Sequence, residues 1–318
     1  MINLLYINDG DTFYNQYHTV ITIGNFDGFH RGHKKLVIAA NSMKADINAK
    51  SLIMSFFPRP VSVLKGIEVK SIFTKEERIE IAESLGIDIL VEYPFTREFA
   101  SLSGFDFINM LKKKYNCKRI VVGEDFAFGK NRMCTAQNLT EIAELADIEV
   151  YIIPHQQEMG AKISSTDIRN YLENGKIEEV NKLIGHDYFI QAKAEQGDIN
   201  ALEQSFLSIH MAVKNEKLLP RKGVYTTQTV FEDGKICLGV TYIKGNIDSA
   251  GSRTVVETYI QNPAYDVYDT KIKVEFKRFI CEETEIANRN KLFEKFIIDS
   301  LVQSYNYADK AEKIEFDN

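Results

Sequence analysis

Two histidines, His30 and His33, stand one helical turn apart with Gly32 between them. At the start of a helix this spacing turns both imidazoles toward the same spot, and a glycine lets a phosphate approach the backbone. Because helix N-terminal amides attract anions, the arrangement predicts a phosphate site suited to charge stabilisation in phosphoryl or nucleotidyl transfer. The alternative interpretation is a chance tetrapeptide with structural histidines.

A second polar cluster consists of Ser164, Ser165 and Thr166, with Arg169 one turn further along. Serine and threonine often cap helices by accepting hydrogen bonds from free amides, which is the purely structural explanation. Three consecutive hydroxyls followed by an arginine exceed what a cap requires. They predict a second phosphate-binding helix start, in which Arg169 can hold oxygens in a bidentate fork.

The segments that carry these clusters alternate between strand and helix patterns up to about residue 188. Strands separated by helices predict a parallel sheet with right-handed crossovers, whose ligands bind beyond the carboxyl ends of the strands. The predicted strands cover 20–23, 51–57, 87–92, 119–122 and 148–153, and helices are predicted from about Lys34, over 74–85, over 103–115 and after 166. This part of the chain is therefore predicted to be an α/β domain.

Three predicted loops fall at that end of the sheet, at 24–33, 58–60 and 123–132. The third contains Asp125, Phe126, Phe128 and Arg132, together with glycines. Carboxylates, aromatic rings and cations in one loop suit a ligand that has both a ring and a phosphate. An ordinary surface loop anchored by two phenylalanines is the alternative.

The pattern changes near residue 187, where alternating apolar and polar residues begin to dominate. Strands are predicted at 223–231, 236–243, 254–260 and 271–279, with a hairpin turn at 232–235 and a closing helix at 286–305. Several short strands and one helix predict a small antiparallel β-barrel. We therefore expect two domains, 1–186 and 187–318.

Composition limits the possible functions. The chain has 318 residues, 44% apolar and 26% charged, which is typical of a soluble globular protein of two domains. A net charge of −6 gives no general electrostatic case for nucleic acid. Four scattered cysteines indicate free thiols in a reducing compartment. With no predicted signal peptide or membrane span, we expect a cytoplasmic protein that acts on small molecules, as a monomer or weak homo-oligomer.

The string from Gly24 to His33 resembles the opening motif of bacterial FAD synthetases in the HxGH nucleotidyltransferase superfamily, and 163–169 is similar to their second motif. The resemblance implies a Rossmann-like domain that transfers AMP from ATP to FMN, with Mg²⁺ bridging the phosphates, to give FAD and pyrophosphate. The implied catalytic residues are His30, His33 and Arg169. The implied ATP-binding residues are Gly24, Asn25, Phe26, Asp27, Gly28, His30, Gly32, His33, Ser164, Ser165, Thr166 and Arg169. The implied FMN-binding residues are Phe57, Asp125, Phe126, Phe128 and Arg132.

Two positions depart from simple motif matching. Asp27 is expected to shape its turn rather than bind metal. Pro58-Arg59-Pro60 carries arginine where the family usually has histidine between the prolines.

The second half resembles a riboflavin kinase domain in part. Glu257 lies in a segment similar to the one that holds the kinase's catalytic glutamate, and 218–225 also matches a family strand. The glycine-rich loop and its Pro-Thr-Ala-Asn sequence are missing, and the nearest stretch, 197–210, keeps only Phe206 and a substituted Ser208. We therefore expect the kinase activity to be lost and Glu257 to be a remnant. The alternatives are a bifunctional kinase and synthetase, a nucleotidyltransferase with another acceptor, and a non-catalytic flavin-sensing regulator.

Overall fold

The computed structural model describes residues 4–8, 16–129, 133–154, 157–158, 161–197, 206–248, 251–261 and 267–282. The chain forms two compact units, which divide between Ser165 and Thr166. The sequence instead predicted a division at 186/187, which places the two helices after Ser165 in the first domain. That domain division stays a prediction. Every helix within the described ranges is too short or too polar to span a lipid bilayer.

The first unit is built on a six-stranded parallel sheet and also contains two short strand pairs. The strands of the unit are β1 (Leu5–Asn8), β2 (His18–Ile23), β3 (Ala49–Phe57), β4 (Ile89–Pro94), β5 (Cys117–Gly123), β6 (Ala127–Phe128), β7 (Cys134–Thr135), β8 (Glu149–Ile153), β9 (Gln157–Glu158) and β10 (Ala161–Lys162). The parallel strands have the order β1-β4-β3-β2-β5-β8, while β6 pairs with β7 and β9 with β10. After β2, the next strands along the chain, β3 and β4, are added on one side of β2. Strand β5 then pairs with the opposite side of β2. The crevice between the ends of β2 and β5 is therefore a topological switch point, where ligands of such sheets bind.

The helices of the first unit differ in how well local sequence signals predict where they begin. They are α1 (Arg31–Ser42), α2 (Pro60–Lys65), α3 (Lys75–Ser84), α4 (Arg97–Ala100), α5 (Gly104–Tyr115) and α6 (Ala136–Glu144). Thr74 and Glu77 form the predicted capping box of α3. Helix α1 begins earlier than predicted, because His30 Nδ1 accepts a hydrogen bond from the His33 backbone N–H and caps the helix. A core cluster joins α5 and α6 to the sheet through fully buried side chains such as Ile108, Leu139 and Ile120.

The second unit contains two helices and a closed barrel. Its elements are α7 (Ser165–Glu173, which begins at the last residue of the first unit), α8 (Ile177–Ile184), β11 (Tyr188–Gln196), β12 (Phe206–Met211), β13 (Gly223–Phe231), β14 (Ile236–Asp248), β15 (Gly251–Gln261) and β16 (Lys271–Glu282). The barrel order is β11-β12-β15-β14-β13-β16, with every pair antiparallel. The prediction of an α/β domain followed by an antiparallel barrel is confirmed. The closing helix predicted at 286–305 lies outside the described residues.

Candidate active site

The turn that follows β2, Gly24–Phe29, is fixed from several sides and is called the motif turn. The Gly24 amide donates to the Met54 carbonyl at 3.1 Å, which holds the turn against β3. Phe26 and Phe29 are fully buried, and their ring centroids lie 5.6 Å apart. Phe29 has a φ of +41°, an uncommon backbone conformation for a phenylalanine. These contacts fix the turn and therefore fix the position of His30 at the start of α1.

Asp27 belongs to the motif turn, and its carboxylate is buried inside the protein. It accepts a hydrogen bond from the Ile72 backbone N–H at 3.1 Å and forms an ion pair with the Arg59 guanidinium. Only 2% of Asp27 is exposed. These contacts agree with the expectation that Asp27 shapes the turn.

The two histidines are stacked on each other. Their ring centroids are 3.7 Å apart and the ring planes differ by 17°. The Phe26 ring lies against the outer histidine, with its centroid 4.7 Å from that of His33. Both histidines line one cavity at the carboxyl end of β2, as their spacing predicts.

The protonation of the pair follows from burial. Desolvation of its imidazole lowers the pKa of His33 well below its ordinary value, and the neighbouring His30 ring lowers it further. His33 is therefore neutral at pH 7. The Nδ1 of His30 accepts the His33 backbone N–H, so a neutral His30 carries its proton on Nε2. The pair is thus suited to donate hydrogen bonds to a phosphate as neutral imidazoles.

The cavity has a volume of about 700 Å³, and its lining combines a set of polar residues, called the polar end, with a set of aromatic rings, called the aromatic end. This size falls within the usual range of small-molecule sites. The polar end includes Gly24, Asn25, His30, Gly32, His33, Ser164 and Ser165. The aromatic end includes Phe56, Phe95, Phe99, Phe107, Phe126 and Phe128. Such a division suits a ligand with phosphates at one end and an extended ring at the other.

The aromatic end is a continuous group of rings. Phe126 and Phe128 are stacked with centroids 5.6 Å apart, and Phe128 lies 5.1 Å from Phe107. Phe99 then joins Phe107 to Phe56, at centroid distances of 6.0 and 5.6 Å. Flat apolar side chains packed in this way offer edges and faces to a planar aromatic ligand.

The structure brings most of the predicted site residues to this cavity. Of the predicted ATP-binding and FMN-binding residues, those on its lining are Gly24, Asn25, His30, Gly32, His33, Asp125, Phe126, Phe128, Ser164 and Ser165. Phe26 and Asp27 of the motif turn are buried instead, and Gly28 is also absent from the described lining. Thr166 and Arg169 lie further along α7, and Arg132 lies outside the described residues. The roles of these residues stay predictions.

Phe57 departs from the expected placement. The structure leaves it 49% exposed and puts its neighbour Phe56 on the cavity lining. Successive side chains of a strand point to opposite faces, so only one of the two phenylalanines can reach the cavity from β3. Phe56 therefore occupies the place on the lining that was expected for Phe57, and a flavin contact at this position stays a prediction.

Three residues on the lining were not expected from the sequence. Phe95 and Phe99 follow β4, and Leu64 lies on α2, which begins in the predicted 58–60 loop. The available signal was topological. The 94–100 segment follows a predicted parallel strand and so belongs at the carboxyl edge of the sheet, like the three loops that were chosen.

We expect Gly32→Ala to reduce the rate of catalysis. A Cβ at this position would stand 3.1 Å from Nδ1 and 3.2 Å from Cε1 of His30, which forces the stacked ring to move. A displaced catalytic group should lower kcat by about tenfold to a hundredfold. Steady-state kinetics would measure the effect, with exposed Ile38→Ala on the same helix as the control. A Gly32→Ala protein with the wild-type kcat would contradict the assigned role of the His30 ring.

Few groups on the described lining of the cavity could hold a magnesium ion. Magnesium prefers oxygen ligands and commonly uses one or two carboxylates together with substrate phosphates and water. Asp125 offers a carboxylate on the described lining, and Asn25 and Ser164 offer neutral oxygens. Within the described ranges, no group of three or more His, Cys, Asp or Glu side chains is placed to hold a metal ion alone.

A separate polar cluster lies in the barrel around Glu257, the predicted kinase remnant. Its carboxylate accepts from Ser208 Oγ at 2.7 Å and from Lys244 Nζ at 2.8 Å, and His210 Nε2 lies 3.4 Å away. Only 1% of Glu257 is exposed. Burial acts to raise the pKa of Glu257, but the Lys244 ammonium and the Ser208 hydroxyl outweigh it and hold that pKa below its ordinary value. Glu257 is therefore ionised and already bonded at neutral pH.

Family models match both halves of the chain. A model described as FAD synthetase matches residues 13–167, and a model described as riboflavin kinase matches residues 184–302. The second match means that the prediction of a degenerate kinase domain is not supported. The start of the riboflavin kinase match is close to the expected division at 186/187.

Several known proteins are similar to this chain. A bifunctional riboflavin kinase/FMN adenylyltransferase of Listeria monocytogenes is 29% identical over 83% of this chain and 84% of its own length. A protein of the same description from Escherichia coli K12 is 28% identical over 89% and 90% of the two chains. An FAD synthetase of Listeria monocytogenes is 31% identical over 66% of this chain and 81% of its own length.

A solved structure has the same fold. The crystal structure of a macrolide-efflux protein from Streptococcus pneumoniae superposes with a TM-score of 0.78, at 24% identity over 98% of both chains. At this identity the likeness concerns the fold alone. The family assignment rests on the sequence relatives and on the two family models. The chain belongs to the FAD synthetase family and carries an FAD synthetase domain followed by a riboflavin kinase domain.

Proposed function

We propose that this protein transfers AMP from ATP to FMN and produces FAD and pyrophosphate. The observation that carries the proposal is a cavity of the first unit that joins the stacked His30 and His33 to a wall of aromatic rings. The cavity lies at the switch point of a parallel sheet, where nucleotides bind in folds of this class. Membership of the FAD synthetase family supports the same reaction.

The proposed reaction is an in-line displacement at the α-phosphorus of ATP. An FMN phosphate oxygen forms a bond to that phosphorus, while the bond to the oxygen that bridges to the β-phosphorus breaks. Pyrophosphate leaves with the bridging oxygen and its negative charge. Because the attacking phosphate is already anionic at neutral pH, the reaction needs no strong general base. Catalysis then depends on positioning and charge stabilisation.

The polar end of the cavity supplies both the positioning and the charge stabilisation. His30 donates from Nε2 and His33 from its neutral ring toward the ATP phosphates, where negative charge grows in the transition state. The Ser164 and Ser165 hydroxyls bind the departing pyrophosphate, and we assign Thr166 and Arg169 of α7 to the same role. Magnesium, when bound with ATP, would supply further neutralisation of phosphate charge. The Asp125 carboxylate and the Asn25 side chain are the residues that would hold it.

The aromatic end accounts for the choice of acceptor. The isoalloxazine ring of FMN is flat and largely apolar, and the rings of Phe56, Phe126 and Phe128 can pack against it. The proposed division of labour is an adenylyltransferase domain at 1–186 and a barrel domain at 187–318.

Phosphorylation of riboflavin is a second candidate activity, and it belongs to the barrel. The riboflavin kinase match over 184–302 and the relatives described as bifunctional favour it. The expected loss of kinase activity is not supported, because the riboflavin kinase domain is present. The two outcomes differ in whether riboflavin is a substrate.

A product assay tests both activities. The protein is incubated with ATP, Mg²⁺ and either FMN or riboflavin, with each flavin also supplied in reduced form, and the flavins are separated by chromatography. We expect FAD from FMN. FMN formed from riboflavin would establish the bifunctional enzyme, whereas its absence would leave the synthetase alone. If FMN yields no FAD, the proposed function is wrong, and a flavin-binding regulator or another acceptor takes its place.

A further inference from the structure

The guanidinium of Arg59 lies inside the first unit although its segment looks like a surface loop. Only 5% of Arg59 is exposed, and its partner Asp27 is 2% exposed. Besides its ion pair with Asp27, Arg59 donates from NH1 to the Lys70 carbonyl at 2.9 Å. Arg59 is absent from the described lining of the cavity, and its guanidinium is bonded to Asp27 and to a backbone carbonyl.

The contacts of Arg59 join two walls of the cavity. On one side, Asp27 belongs to the motif turn, three residues before His30. On the other side, Arg59 is the N-cap residue of α2, whose Pro60 and Leu64 line the cavity. The Arg59 carbonyl also accepts from the Ser62 backbone N–H at 2.9 Å, which closes the first turn of α2.

The same contacts attach both walls to a third segment. Asp27 accepts from the Ile72 backbone N–H at 3.1 Å, and Arg59 donates to the carbonyl of Lys70, two residues earlier. A planar guanidinium can make these bonds at once because its donors are spread in a rigid fork. A lysine ammonium is a compact point charge and cannot span the same acceptors.

We propose that Arg59 is a positioning residue of the transferase site. It acts through Asp27 to hold the motif turn, and thereby the His30 ring, at a fixed distance from the α2 wall. It does not touch substrate. This inference rests on the proposed function for its kinetic test, but the position of His30 can be tested without any activity.

The alternative is a buried ion pair that only stabilises the fold. Arg119 provides a matched comparison, because its side chain is 11% exposed and it also bonds several acceptors. Arg119 donates to the Met43 carbonyl and the Asp46 carboxylate, both at 2.7 Å, and to Glu149 at 3.0 Å. These partners lie after α1 and at the amino end of β8, away from the cavity.

The experiment compares Arg59→Met, Arg59→Lys and Arg119→Met in the full-length protein. The kinetic measurement is FAD formation at saturating ATP and FMN, per folded molecule. Misplacement of His30 should lower kcat by about a hundredfold in Arg59→Met, with a much smaller change in KM. Arg59→Lys should recover little of the loss, and Arg119→Met should keep the wild-type kcat. Adding Asp27→Asn to Arg59→Met should cause no further loss, because both changes remove the same contact.

The second measurement is the NMR spectrum of the imidazole Cε1–H groups, assigned with single histidine variants. We expect the His30 and His33 signals to shift in Arg59→Met and to stay in place in Arg119→Met. A wild-type kcat in folded Arg59→Met, or unmoved imidazole signals, would overturn the proposal. If the wild-type protein makes no FAD, the proposed function fails, and the imidazole signals alone decide whether Arg59 positions His30.

Discussion

His33→Ala should reduce FAD formation by a factor of about 100 to 1,000, as expected when a preorganised donor to a developing charge is removed. His33 lies on the cavity lining, half-buried and neutral. Alanine removes the donor and also the ring on which His30 stacks at 3.7 Å. The loss should therefore appear in kcat, measured at saturating ATP and FMN.

The control for this variant is His18→Ala. His18 is the exposed first residue of β2, and its Nδ1 lies 3.3 Å from the Asn116 side chain, outside the cavity. Its replacement should leave kcat unchanged. If His33→Ala and His18→Ala gave the same rate, His33 would have no catalytic role and the polar end of the cavity would need another explanation.

Lys244→Met should destabilise the barrel by about 3–5 kcal/mol, the usual result of leaving a buried charge without its partner. Glu257 is 1% exposed and depends on the Lys244 ammonium at 2.8 Å for neutralisation. Urea unfolding, followed by circular dichroism, measures the change. Lys193→Met is the matched control, because Lys193 and Asp269 form an exposed ion pair at 3.0 Å and such pairs contribute about 0–1 kcal/mol.

The same variant should reverse a pH dependence. In the wild type the pKa of Glu257 is lowered on folding, so its contribution to stability is present above the unfolded pKa and is lost as pH falls. Without Lys244, burial dominates and raises the pKa of Glu257 above the unfolded value. Stability should then fall as pH rises from about 4 to 6. Equal unfolding free energies for Lys244→Met and the wild type across this range would show that the pair does not neutralise Glu257.

Sequence signals predicted the helix starts and turns that are determined by residues close by in the chain. The capping box of Thr74 and Glu77 gave the start of α3, and the 232–235 turn gave the hairpin between β13 and β14. Likewise, His30 and His33 were placed together by their spacing alone. The exact start of α1 was missed because it depends on the His30 side chain serving as the cap.

Long-range causes could not be inferred from the sequence in the same way. The 51–57 run is apolar except for Ser51 and Ser55 and is buried on both faces for most of its length. It therefore has no regular alternation to show whether Phe56 or Phe57 faces the cavity. The partner of Arg59 lies 32 residues earlier in the chain, and nothing near Arg59 indicates it. Strand β1 was missed because four residues at a sheet edge carry little pattern.

The central claim is that the group transferred to the flavin is the adenylyl group of ATP. It is tested most directly with ATP carrying radioactive phosphorus at either the α or the γ position, with FMN as acceptor. We predict that α-label appears in FAD and that γ-label appears only in pyrophosphate. Unlabelled flavin in the α-label experiment, or flavin labelled from the γ position, would contradict adenylyl transfer at this site.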